Sequence, residues 1–190
     1  MSDALTLLKQ SLANAPIIWK GDYPYFIHPL TDGVPRLEPE VLSAVVKLSL
    51  EAIDWENTDL ILGIEAMGLP LCAPLSIESG KPLVVARKRS YGLENEVIID
   101  QSTGYSKGTM CLNDINDGER VVILDDVLST GGTLRSVIEG VKRAGGIVSH
   151  VMTVIEKGPG LAILAQEFPE IPFSSLVRLE MEHDKIIILE

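Results

Sequence analysis

Asp125 and Asp126 stand side by side, and Ser129, Thr130, Gly131, Gly132 and Thr133 follow them closely. Glycines let the backbone approach a ligand, free N–H groups at a helix start point outward, and the dipole there favours negative charge. The hydroxyls of Thr130 and Thr133 add donors for phosphate oxygens. Two carboxylates beside a phosphate would repel it, so they suit sugar hydroxyls or a metal ion. An apolar run ending in two acids is also how a Walker B strand reads. Yet no GxxxxGK[ST] occurs in the chain and no GxGxxG follows a strand, so neither nucleotide fingerprint is available. A plain strand–helix turn needs one cap and at most one glycine, far less than this.

Three further groups carry chemistry. Arg87-Lys88-Arg89 places three cations together on an acidic chain, and a guanidinium fork suits phosphate oxygens. Glu65-Ala66-Met67-Gly68 is a short turn after an apolar run. Lys157 is a donor only, suited to a carbonyl rather than an amino group, or to a neighbouring surface acid.

The elements that must hold these groups are legible in the apolar pattern. Val121 to Leu124 predict a strand buried on both faces and ending at the two acids. Leu134, Val137, Ile138 and Val141 recur at i, i+3, i+4, i+7 and predict a helix that Gly145 stops. Further strands are expected over 59–64, Leu83–Ala86 and 147–155. They put Glu65 to Gly68, Arg87 to Arg89 and Glu156 to Gly160 just past strand ends, where open α/β sheets bind ligands. Helices are expected over 3–13, capped by Ser2; from Pro39 to near Trp55; over 69–79, bent or opened by Pro70 and Pro74; and over 161–168. Edge strands over 174–179 and 186–189 close the chain, the second as a hairpin return. Residues 21–35 hold three prolines and two glycines, which excludes a continuing helix or a central strand. Their aromatics, Tyr23, Tyr25 and Phe26, could cover a flat heterocycle or simply lid the core. Residues 90–110 form an irregular excursion around Val97, Ile98 and Ile99, expected as a loose two-stranded flap.

Length and composition bound the class. A chain of 190 residues with 46% hydrophobic and 23% charged content is expected to form a single α/β domain over 1–190. A net charge of −11 argues against a nucleic-acid partner. No apolar run approaches the ~20 residues that span a bilayer. MSDALTLLKQ has no basic region before an apolar core, so no secretory signal is expected. Cys72 and Cys111 follow no pairing pattern, which suits a reducing, cytoplasmic compartment.

LDDVLSTGGT resembles the signature of type I phosphoribosyltransferases, which bind 5-phosphoribosyl-1-pyrophosphate (PRPP). The resemblance implies that Leu128, Ser129, Thr130, Gly131, Gly132 and Thr133 hold the 5′-phosphate and that Asp125 and Asp126 contact the ribose hydroxyls. It makes Glu65, Ala66, Met67 and Gly68 the pyrophosphate loop, with an often unusual peptide bond, and Arg87 and Lys88 its cationic partners. Adenine enzymes usually carry arginine at the position of Met67. YFIHPLTDG is similar to their hood segment, which makes Phe26 the residue stacked on the purine. The hood is expected from 16–36 plus the C-terminal segment, and the flexible flap at 89–110. Tyr105 and Lys107 match a Tyr-x-Lys of the flap, and Tyr105 joins the expected catalytic set of Asp125, Asp126 and Arg87. The glutamate before that tyrosine is Gly104 here, which argues against adenine chemistry. A lysine like Lys157 contacts O6 in the 6-oxopurine enzymes. Nearly the whole chain is closest to the archaeal-type hypoxanthine/guanine phosphoribosyltransferases. The implied reaction joins PRPP to hypoxanthine or guanine with Mg²⁺ held mainly by PRPP, in a cytoplasmic homodimer. An adenine or xanthine enzyme, or a non-catalytic PRPP- or purine-sensing regulator, stays open at this point.

Overall fold

Apolar runs too short for helices and bounded by turn residues become the strands of one sheet. The computed structural model describes residues 2–21, 23–102, 107–183 and 185–189. Its first part holds α1 (Asp3–Ala13), β1 (Ile17–Lys20), β2 (Tyr23–Phe26), α2 (Pro29–Asp32), α3 (Pro39–Ala52), β3 (Leu60–Ile64), α4 (Gly68–Ser79) and β4 (Leu83–Ala86). Then come β5 (Val97–Ser102), β6 (Lys107–Leu112), β7 (Arg120–Leu128), α5 (Gly132–Arg143), β8 (Ile147–Lys157), α6 (Gly160–Glu167), β9 (Phe173–Glu182) and β10 (Lys185–Leu189).

The main sheet runs in the order β10-β9-β8-β7-β3-β4. Its pairs are parallel except β10, which returns antiparallel along β9. From β3 the chain crosses outward to β4, then comes back to lay β7 on the other side of β3. That reversal opens a crevice beyond the carboxyl ends of β3 and β7, the place where such sheets take ligands.

Both faces are covered, as the unbroken apolar strands require. On one, Leu134, Val137, Ile138 and Val141 of α5 pack in a cluster with Val121, Ile123, Ile99 and Leu112. On the other, Val46 of α3 and Cys72 and Leu75 of α4 cover Ile61, Val122 and Met152. Each such buried side chain stabilises the fold by roughly 1.5–3 kcal/mol, so both helical layers hold β7 in place. The two cysteines are buried and unpaired with each other, small apolar fillers as their lack of pattern suggests.

Several elements depart from the sequence expectation. The strand carrying the acids does not stop at Leu124 but continues to Leu128. Aspartate is a poor strand former, yet β8 supplies ladder partners for Asp125, Val127 and Leu128, and pairing overrides propensity. β8 likewise extends two residues further, so Lys157 ends the strand rather than following it. β9 lies between β8 and β10 and is therefore not an edge. The helix from Pro39 stops at Ala52, and Trp55–Asn57 forms a separate 3₁₀ turn capped by the Asp54 side chain. Within the turn-rich stretch, β1 and β2 form an antiparallel hairpin separate from the main sheet. Ile17, Phe26 and Leu30 share an apolar cluster with Leu8 and Leu12 of α1 and with Val177, Leu179 and Ile186 of the C-terminal strands.

The flap is two-stranded but not loose at its base. Ile99, Met110 and Leu112 are buried, the Arg143 guanidinium donates to the Ile98 carbonyl at 2.7 Å, and Cys111 bridges Arg87 antiparallel. Gly140 lets α5 lie this close, since a Cβ there would fall 2.6 Å from Leu112 Cδ1. Gly104 and Tyr105 lie outside the described residues; Lys107 opens β6.

Candidate active site

The crevice at the sheet's switch point is a cleft of about 370 Å³, lined by residues 64–67 after β3, residues 125–134 from β7 into α5, Lys88 and Thr31. That size suits a small ligand.

Its floor is the turn from β7 into α5. Gly131 caps α5 with φ 84° and offers no side-chain bond to the helix start. The first intrahelical bond there runs from the Arg135 N–H to the Gly131 carbonyl. The amides of the first turn of α5 precede that bond, and a helix start of this kind suits an anion. Ser129 and Thr130 are exposed on the same turn. Gly160, at the start of α6, holds the turn from behind: its N–H donates to the Ser129 carbonyl at 2.9 Å. A Cβ on Gly160 would lie 2.4 Å from that oxygen and 2.9 Å from the Gly131 nitrogen. Sequence reasoning had no role for Gly160, although the Gly-Pro-Gly run was visible.

The acids sit at the inner wall, 9% and 8% exposed. The Asp126 amide donates to Asp125 Oδ1 at 3.0 Å. Burial pushes the Asp125 carboxyl up to about 6, with Lys88 opposing. Asp126 is held well above the usual carboxylate range by burial, by Asp125 and by Asp32 across the cleft. Two buried like charges cannot both ionise cheaply, so donor hydroxyls or a cation at this wall would stabilise the ionised pair. Their hard oxygens suit Mg²⁺. Among the described residues no group of three His, Cys, Asp or Glu could hold a metal, so ligand phosphate oxygens would have to complete its shell.

The opposite wall is the turn after β3, where the Glu65–Ala66 peptide is cis. Gly68 presses α4 against β7; a Cβ there would lie 3.0 Å from the Leu124 carbonyl oxygen and 3.7 Å from Asp125 Oδ1. Glu65 faces the next strand end instead of a ligand phosphate: its Oε2 accepts from the Lys88 amide at 2.9 Å and lies 3.1 Å from Arg87 Nε. The Arg87 contact is ionic, because Nε forms no hydrogen bond. Of the three cations, Lys88 lines the cleft. Arg87 and Arg89 approach the Tyr91 ring at 5.9 and 5.4 Å.

Phe26 and Lys157, far apart in sequence, meet at the hood, with Lys157 Nζ 5.5 Å from the Phe26 ring centroid. Phe26 is 5% exposed. Thr31, not singled out in the sequence, extends the hood into the cleft. His28 is structural: Nδ1 accepts from the Leu30 amide at 3.2 Å, which puts the proton on Nε2 facing Ser11 Oγ at 2.9 Å. Burial lowers its pKa from 6.5 to about 4, against a smaller upward pull from Asp32. The unfolded chain therefore takes up the proton first, and stability is lost as pH falls from about 6.5 toward 4. Melting wild type against His28→Asn should show the wild-type advantage shrinking by about 2–3 kcal/mol between those limits. A pH-independent difference would contradict this.

A parallel sheet with a glycine-rich helix start and an acid pair at its switch point is an arrangement suited to a phosphorylated sugar. Residues 35–165 match the phosphoribosyl transferase domain model, and the chain belongs to the phosphoribosyltransferase family. It is 44% identical to a hypoxanthine/guanine phosphoribosyltransferase of Aciduliprofundum boonei over 98% of this chain and 100% of the relative. With the protein of that name from Ferroglobus placidus the identity is 48%, covering 98% of each chain. The crystal structure of adenine phosphoribosyltransferase from Thermoanaerobacter pseudethanolicus superposes with a TM-score of 0.73 at 23% identity, covering 92% of this chain and 99% of that one. It bears on the fold alone, which is that of the type I enzymes.

Proposed function

We propose that the chain is a purine-salvage enzyme that transfers 5-phosphoribosyl from PRPP to hypoxanthine and/or guanine, giving IMP or GMP and pyrophosphate. The observation that carries this reading is a helix-start turn and a buried acid pair in one cleft, in a chain 43–48% identical to relatives named hypoxanthine/guanine phosphoribosyltransferase.

In this reading the residues from Leu128 to Thr133 hold the 5′-phosphate, with the amides at the start of α5 as donors. Asp125 and Asp126 accept from the ribose hydroxyls. Residues 65–68 and Lys88 receive the pyrophosphate, with Arg87 set beside them by Glu65. At C1 of the ribose the bond to pyrophosphate breaks, its electron pair leaving on the pyrophosphate oxygen, as the bond to purine nitrogen forms. That nitrogen's proton is released to solvent, and the exchange passes through an oxocarbenium-like state. The acid pair, its carboxylates stabilised by the ribose hydroxyls, places negative charge next to the positive charge that develops there. Bound Mg²⁺ supplies neutralising charge to the leaving group. The flap, carrying Tyr105, closes over the cleft and keeps water from PRPP. Residues 1–190 act as one domain, with the hood (16–36 plus the C-terminal segment) over the base. We place the enzyme in the cytoplasm as a homodimer; among its described residues no helix is long and apolar enough to cross a membrane.

Base choice rests on Phe26 and Lys157. Lys157 donates and cannot accept, so it favours O6 of hypoxanthine or guanine over the amino group of adenine. Lys157→Ala is expected to lower kcat/KM for both 6-oxopurines by at least ~100-fold, the cost of losing a polar contact a site is built around. Adenine turnover, weak from the start, should change little. Rates with adenine, hypoxanthine, guanine and xanthine measure this; unchanged ratios among the four would remove Lys157 from the base site.

A further inference from the structure

Met67 stands in a loop that faces phosphate, yet a thioether has no donor for a phosphate oxygen. It lines the cleft beside Ala66, and its far end reaches the hood. A Cβ built on Gly33 would lie 3.4 Å from Met67 Sδ and 3.6 Å from Cε. Gly33 closes α2 at φ 70°, its N–H donating to the Pro29 carbonyl. The turn above that glycine is stiff. Asp32 accepts from the Tyr25 hydroxyl at 2.6 Å, the Thr31 hydroxyl at 2.6 Å and the His28 amide at 3.1 Å. His28 in turn caps α2 and bonds Ser11 of α1. These bonds tie the turn into one unit. It carries Thr31 into the cleft and is tied through Tyr25 to Phe26, the next residue. Met67 thus lies beneath this turn, whose Asp32 is bonded to Tyr25 of the strand that carries Phe26.

We propose that Met67 is a positioning residue that couples occupancy of the phosphate loop to the hood over the base. Pyrophosphate seated on residues 65–68 fixes the loop, presses the thioether against Gly33 and holds the hood turn in its base-binding position. The contact is apolar and adaptable, as methionine allows, so it transmits position without competing for the ligand's charge. Coupling of this kind is reciprocal: base and pyrophosphate each tighten the other by the same factor. The proposal rests on reading residues 65–68 as the pyrophosphate contact and Phe26 as the base contact.

Hypoxanthine and pyrophosphate together cannot react, because no ribose is present, so their binding can be measured at equilibrium. Calorimetric titration of hypoxanthine into the wild-type protein should show about tenfold tighter binding with saturating magnesium pyrophosphate, within the usual range of such couplings. In Met67→Ala the factor, measured with pyrophosphate raised until it saturates the variant, should fall below about twofold, and hypoxanthine binding without pyrophosphate, made at the hood, reports that the variant is folded. Met67→Leu, similar in volume, should keep most of the coupling. Pyrophosphate binding without coupling in the wild type, or coupling that survives in Met67→Ala, overturns the proposal. A wild-type protein that binds no pyrophosphate would instead overturn the reading of residues 65–68, and this proposal with it.

Discussion

Asp126→Asn is expected to lower kcat/KM by at least ~100-fold, the usual cost of losing one preorganised electrostatic contact, and to raise the melting temperature. The activity falls because asparagine cannot supply the negative charge that faces the sugar. The stability rises because burial and Asp125 hold the Asp126 carboxyl far above its ordinary range. The sign follows from that direction. A carboxyl raised in the folded state favours folding at low pH, and that benefit is lost as pH climbs through and past the carboxylate range. For Asp125, raised from 3.8 to about 6, the penalty at neutral pH is roughly 3 kcal/mol. Asp126→Asn removes its own share and lets Asp125 ionise without a like-charged neighbour. Melting curves of both proteins should converge below the ordinary carboxylate range and separate increasingly as pH rises above it. Lower activity with lower stability at pH 7 would mark Asp126 as a structural group and count against the ribose assignment.

The second large effect is expected at a residue that touches no ligand. Gly160→Ala puts a methyl 2.4 Å from the Ser129 carbonyl oxygen and 2.9 Å from the Gly131 nitrogen. Those are backbone atoms, so no side chain can swing away to relieve the clash. The phosphate turn must shift or α6 must back off. A misplacement of about 1 Å in a positioning element costs on the order of 100-fold in rate. Steady-state kinetics with PRPP varied should show that loss in kcat/KM, while hypoxanthine binding, made at the hood, changes little. Wild-type kinetics in Gly160→Ala would mean that α6 does not hold the turn.

What the sequence made legible is what neighbours along the chain decide. Acids, hydroxyls and glycines from Asp125 to Thr133 lie in one short run, and the apolar spacing behind them marks α5. The strand ends that carry Glu65 and Arg87 were legible for the same reason. Contacts between distant segments were not. β7 outruns its own propensity only because β8 runs alongside it. Glu65 turns toward Lys88 and Arg87, whose position depends on the register of β3 with β4. The β1–β2 hairpin was hidden by Pro24 and by a turn at Gly21 that could equally close a loop. Gly160 behind Ser129 and Met67 beneath Gly33 are close approaches that no local pattern encodes.

The central claim is that a sugar phosphate sits with its 5′-phosphate on the turn between β7 and α5 and its hydroxyls on the acid pair. Diffraction from crystals soaked with IMP tests it directly. The account predicts phosphate oxygens about 2.7–3.2 Å from the amides of Gly132 and Thr133, with ribose hydroxyls at the same distance from Asp125 and Asp126. A phosphate bound instead on residues 65–68, or ribose hydroxyls turned away from both acids, would contradict it.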